Sequence, residues 1–110
     1  MSSYNKNKLK EFFTDVQKKI AEENQQTLKQ IFKTLCKKYV DYFPKRKIYI
    51  AEMLGKRISY LTGAGKELYV KAVKIPLTDN YLLFIESHQE LPSSEIKSLE
   101  EFMLSILEIK

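Results

Sequence analysis

Apolar residues at Leu9, Phe12, Phe13, Val16 and Ile20, and again at Leu28, Ile31, Phe32, Leu35, Tyr39 and Val40, recur at spacings of three and four. That is the period of an amphipathic helix. Neither Gly nor Pro interrupts residues 5–43. A polar stretch, Ala21-Glu22-Glu23-Asn24-Gln25-Gln26-Thr27, separates the two sets yet is rich in helix formers. Two arrangements follow. One is a single helix of about 38 residues, roughly 57 Å long at 1.5 Å per residue. The other is a pair of helices hinged near Asn24. A single helix would overhang a domain whose radius of gyration should be about 13 Å. Its apolar stripe would then need a partner. The pattern favours this first arrangement, and with it a homodimer or short coiled coil through Leu9, Phe13, Val16 and Ile20. The second arrangement lets the first helix fold back on its own domain.

Pro44 must follow the end of this helical region, because its ring lacks a donor and disfavours α geometry at Phe43. Ile48-Tyr49-Ile50-Ala51-Glu52-Met53 is β-branched and aromatic, and predicts a strand. Leu54-Gly55-Lys56-Arg57 predicts its turn, and Ile58-Ser59-Tyr60-Leu61 a partner strand. Residues 62–67 hold Gly63 and Gly65 and read as a second turn. Residues 68–77 alternate, with Tyr69, Lys71, Val73 and Ile75 against Val70, Ala72 and Lys74, and predict a half-exposed third strand ending near Pro76. A turn at Thr78, Asp79 and Asn80 joins it to Tyr81-Leu82-Leu83-Phe84-Ile85. That run is apolar on both faces, which predicts a central strand with helices covering it on both sides. Ser93 is the expected N-cap of a last helix, whose apolar face is Ile96, Leu99, Met103, Ile106 and Leu107. The order predicts an α+β fold: an antiparallel sheet of about four strands, flanked by a long N-terminal helix or helix pair and a C-terminal helix.

At 110 residues, 44% apolar and 12% aromatic, the chain has the composition of a single globular domain. A lone cysteine, Cys36, cannot close an internal disulfide. No signal-peptide core opens the chain, and no run of about 18 apolar residues offers a membrane span. Cytoplasmic residence without membrane association is the expectation. Charge is uneven. Residues 1–46 carry 11 Lys and Arg against 5 Asp and Glu, whereas residues 47–110 carry 8 against 9. A basic N-terminal half raises nucleic acid as a partner, through Lys6, Lys8, Lys10, Lys18 and Lys19. Glu11, Asp15, Glu22 and Glu23 interrupt that row.

Few residues suggest chemistry. His88 is the only histidine and lies in a polar stretch with no local acid–base partner. Cys36 lies within a helical apolar face and reads as buried filler, so neither a nucleophile nor a zinc site is expected. Glu22 and Glu23, like Glu100 and Glu101, are adjacent on helices and point apart. Gly63-Ala64-Gly65-Lys66 matches part of a phosphate loop, but Tyr60 and Glu67 occupy positions where the motif needs Gly and Ser or Thr. Tyrosines 49, 60, 69 and 81 lie on predicted strands. Rings on a sheet can stack bases, with Lys71 and Lys74 near by, or simply pack.

Several segments together resemble a GAF domain. Leu28 to Phe43 is similar to its opening helix, and Lys47 to Met53 to its first strand. Ile75-Pro76-Leu77 followed by Asp79 to Ser87 resembles its closing hairpin. Leu91 to Phe102 resembles the start of its final helix. The resemblance implies a GAF/PAS/profilin-like fold over residues 27–110, with residues 1–26 as a helical extension. It also implies a non-catalytic regulatory or dimerisation module that senses a small ligand, with no resident cofactor. Tyr49, Tyr60 and Tyr69 are the expected ligand-facing residues. The chain departs from the family in three respects. Ser59 to Leu77 leaves no room for the insertion that usually roofs the ligand pocket, the cyclic-nucleotide signature is absent, and so is a cysteine placed for a bilin chromophore, since Cys36 lies on the opening helix.

Overall fold

The computed structural model describes residues 2–22, 27–78 and 80–109. Their elements run α1 (Ser2–Glu22), α2 (Leu28–Tyr42), β1 (Lys47–Leu54), β2 (Arg57–Ala64), β3 (Val73–Pro76), β4 (Tyr81–Glu86) and α3 (Ser93–Ile109). The α+β expectation holds: the four strands form one antiparallel sheet in the order β2-β1-β4-β3.

The N-terminal region is two helices, not the single one the spacing favours. Thr27 is extended at φ −72° and ψ 163° and caps α2. Its hydroxyl accepts from the Gln30 amide at 3.3 Å, while the Gln30 side chain accepts from the Thr27 amide at 3.1 Å. This reciprocal capping box satisfies donors that a continuous helix would have bonded along its axis. The expected hinge at Asn24 itself lies outside the described residues. Helix α1 packs back on α2 and α3. Tyr42 donates to Asp15 across α1 and α2 at 3.0 Å, and Phe13 stacks on Phe102 of α3 with ring centroids 4.2 Å apart. The radius of gyration is 13.4 Å, the value expected of a compact chain this long.

One core joins all three helices to one face of the sheet. Leu9, Phe12 and Val16 from α1 meet Ile31, Phe32, Leu35, Cys36 and Tyr39 from α2, with Leu99, Phe102, Met103 and Ile106 from α3. The sheet contributes Ile48, Ile50, Ile75, Leu83 and Ile85. In register these residues lie on one side, since Ile48 pairs with Ile85, Ile50 with Leu83 and Ile75 with Leu83. Leu9 and Val16 are therefore spent inside the protein, and Phe13 and Ile20 are half-buried against the same core. These four residues do not form the free stripe expected for a second copy.

Two further expectations change. Helices do not cover β4 on both sides: every core residue they contribute joins the single cluster on the Leu83 and Ile85 side. The third strand is short, starting at Val73. Strands β2 and β3 lie at opposite edges, so residues 65–72 must travel past the ends of β1 and β4. Tyr69 on this segment has φ 58°, a left-handed conformation that no strand ladder accepts. Pro76 closes β3 at the sheet edge, where its missing donor leaves no ladder gap. Helix α3 begins at Ser93, with the Pro92 carbonyl accepting from Ile96 at 3.1 Å. The cap position is thus Pro92, one residue before the expected Ser93.

A candidate ligand face on the open side of the sheet

The sheet face away from the helices carries Tyr49, Ala51 and Met53 of β1, Leu82, Phe84 and Glu86 of β4, and Lys74 and Pro76 of β3. These alternate with the core residues in register. Strand β2 adds Gly63, Tyr60 and Ile58, and a bulge decides which of its residues face this way. Ile50 pairs with Thr62 but Ala51 pairs with Tyr60, so Leu61 is an extra residue on β2. Strict alternation from Gly63 would turn Tyr60 toward the helices. The bulge instead leaves Thr62 buried on the helix side and sends Tyr60 to the open side.

A row of three rings crosses three strands as a result. Phe84 and Tyr49, a cross-strand pair, stack with centroids 4.9 Å apart and planes 12° from parallel. Tyr60 continues the row, 6.2 Å from Tyr49. Gly63 makes this possible. A Cβ there would lie 2.6 Å from the Tyr49 Cβ and 2.9 Å from the Tyr60 hydroxyl, so only glycine leaves Tyr60 room to lie across its own strand. Ala51 and Leu82 are buried within this face but stand apart from the helix-side core. Tyr60 is 66% exposed, Ile58 54% and Leu54 47%.

The lower end of the row is charged. Lys47 and Glu86 are a cross-strand pair. Lys47 donates to Glu67 at 2.5 Å, and its ammonium also stands 5.6 Å from the Tyr49 ring centroid. The hydrogen bond to Glu67 raises the Lys47 pKa. Gly65, at φ 106°, lets the crossing segment approach β1: a Cβ there would meet the Arg46 carbonyl at 2.7 Å and the Lys47 Cα at 2.8 Å. That approach is what brings Glu67 to Lys47. Glu86 is 6% exposed, and its Oε1 has no hydrogen-bond partner among the described residues. Desolvation, then the Glu86 charge, raises the Tyr49 phenol pKa.

Of the expected ligand-facing residues, the fold brings Tyr49 and Tyr60 together and leaves Tyr69 apart, on the crossing segment and 88% exposed. Phe84 and Glu86 were missed. Their signal lay in the alternation Leu82, Phe84, Glu86, in which a carboxylate marks the face opposite Leu83 and Ile85.

A second charged cluster joins Arg46, the residue before Lys47, to the helices. Arg46 donates to the Tyr39 hydroxyl at 2.9 Å and pairs with Glu95, while its guanidinium stacks 4.5 Å from the Phe43 centroid. Burial lowers the Arg46 pKa, but Tyr39 and Glu95 outweigh it and the net shift is upward. Lys8 stands over the same ring at 5.4 Å, and a cleft of about 220 Å³ opens between Lys8, Phe43, Lys45 and Gln89. This cluster ties the end of α2 to the start of α3. His88 is exposed and Cys36 is buried, with burial pushing its thiol to about 12. Among the described residues no three His, Cys, Asp or Glu side chains gather to hold a metal ion, and no helix is long and apolar enough to cross a membrane.

No protein-family model matches the sequence, and no curated protein matches it.

Proposed function

We propose that the chain is a non-catalytic, GAF-like regulatory module that binds a small molecule on the open face of its sheet. The row Phe84–Tyr49–Tyr60 carries this reading. Three rings aligned across three strands, beside a buried carboxylate, are more than an edge needs for solubility. Burying such rings against a flat ligand is favourable both through area and through stacking. Among the described residues the helices pack on the opposite side of the sheet, which leaves this side as a platform. The crossing segment 65–72 borders it at one end.

The alternative, nucleic-acid binding through the basic N-terminal half, draws less support. Lys10 and Lys18 share their surface with Glu11 and Asp15, and Asp15 also stands 3.6 Å from Lys38. Acids interleaved in this way weaken the field that phosphates need. Nor do we assign a pairing role to the α1 stripe, since its inner residues serve the chain's own core.

Backbone amide NMR with a panel of aromatic fragments tests the proposal. Shifts should gather on residues 47–51, 58–63 and 82–86. Shifts confined to the Lys8 and Phe43 cleft, or to the helices, would move the site elsewhere.

A further inference from the structure

The charges on the open face narrow the ligand class, an inference that rests on reading this face as a ligand surface. Glu86 is 6% exposed, and among the described residues it makes neither a hydrogen bond nor an ion pair. A buried carboxylate in that state is costly, and a cation that reaches it recovers the cost. The neighbouring charges cancel it only in part. Lys47, its cross-strand neighbour, attracts it through space but is hydrogen-bonded to Glu67, so at this end two carboxylates share one ammonium. Lys66 and Lys71 on the crossing segment and Lys74 on β3 are exposed, and none pairs with Glu86. Water screens such exposed charges strongly. Lys47 also shows what this end of the face attracts: its ammonium is drawn over the Tyr49 ring and onto a carboxylate. An aromatic face and an acid together are the two features that recognise an organic cation.

We propose that the open face binds a small organic cation, an ammonium group carried on an aromatic or apolar body. Glu86 is its counter-ion, and the Phe84–Tyr49–Tyr60 row is the bed for the body. An anionic ligand would have to settle beside a carboxylate that Lys47 answers only in part, and a neutral one would leave Glu86 as it is. The ammonium of the ligand pairs with the Glu86 carboxylate. The rings take the apolar part, with Tyr60, the most exposed of the three, as the adaptable rim.

Three compounds of one shape test this on the full chain: 2-phenylethylammonium, 2-phenylethanol and 3-phenylpropanoate, titrated while backbone amides are followed by NMR. The cation should perturb residues 47–51 and 82–86 and bind roughly tenfold tighter than the alcohol, as one charge-assisted hydrogen bond allows. The carboxylate should bind weakest. In Glu86→Gln the cation's advantage over the alcohol should disappear while the alcohol's own affinity stays. Should Glu86→Gln not fold, the ranking on the unaltered protein still decides. Equal binding of cation and alcohol on this face overturns the role of Glu86 but leaves the face as a ligand surface. If none of the three perturbs this face at millimolar concentration, both the ligand class and the ligand face are overturned.

Discussion

Two carboxylates in this protein are equally hidden from water and differently placed. Glu95 and Glu86 are each 6% exposed, and each has an Oε1 without a partner. Glu95, in the first turn of α3, meets Arg46, which is itself bonded to Tyr39 and stacked on Phe43. Glu86, at the end of β4, makes no ion pair among the described residues and shares the pull of Lys47 with Glu67. The first site is closed: its charge is answered within the chain, and it fixes the α2–β1 connector against α3. The second is open on the same face as an aromatic row. Equal burial thus accompanies two roles, and what separates them is whether the fold supplies the opposite charge.

The largest effect should come from breaking the closed site. Arg46→Ala leaves Glu95 buried without its cation, and removing one member of a buried pair costs about 3–5 kcal/mol. Urea unfolding should show that loss, with Arg46→Lys recovering part of it but not the stacking on Phe43. A loss under about 1 kcal/mol would mean that Glu95 is paired from elsewhere, and the contrast with Glu86 would collapse.

The two faces of β4 extend the comparison to apolar residues. Leu83 points into the helix-side core and is fully buried, whereas Phe84 next to it is half-buried on the open side. Leu83→Ala should cost about 2–5 kcal/mol. Phe84→Ala should cost less, about 1–2 kcal/mol for the part of its area that leaves water, and should abolish fragment binding. Similar losses at both positions would show that the open face is a second core rather than a platform.

How far the sequence reveals these features depends on the range of the interaction behind each. Helix faces, three of the four strands and the α+β class follow from local periodicity and are found where expected; the third strand is shorter than its alternation implies. The division between α1 and α2 was legible too, in Thr27 and Gln30, whose spacing is that of a capping box, but the long helical pattern outweighed it. Residues 68–72 kept an alternating pattern although the topology required them to cross between edges, and strand order is a long-range property. The bulge at Leu61 has no local signature, yet it alone decides that Tyr60 shares a face with Tyr49. The acidic first turn of α3 was visible. That Glu95 is buried against Arg46, 49 positions earlier, was not.

Alkaline pH probes the closed core without mutation. Desolvation raises the Cys36 thiol from 9.0 to about 12 and the Tyr39 phenol from 10.0 to about 12. Both groups hold their protons more tightly when folded. Their contribution is therefore complete below the unfolded values and is lost as pH rises toward the folded ones. Stability should begin to fall near pH 9, by up to about 1.4 kcal/mol per pH unit for each group. In Cys36→Ala the fall should start nearer pH 10. A flat stability profile from pH 9 to 11 would show that these groups are more hydrated than their burial implies.

The smallest effect is the most discriminating. Glu86→Gln removes a charge that, among the described residues, makes no ion pair and meets only the through-space pull of Lys47, so it should change stability by less than about 1 kcal/mol, or increase it. Glu95→Gln removes the charge that Arg46 answers and should cost about 1.5–3 kcal/mol, the worth of a hydrogen bond to a charged group. The same isosteric change at equal burial then gives two results, and chemical denaturation of the two variants side by side measures the difference. Equal losses would imply that Lys47 answers Glu86 as fully as Arg46 answers Glu95, and the cation site would lose its basis. A gain in Glu86→Gln would show a carboxylate held in the fold at a cost to stability, the trade expected of a residue kept for a ligand instead of for the core.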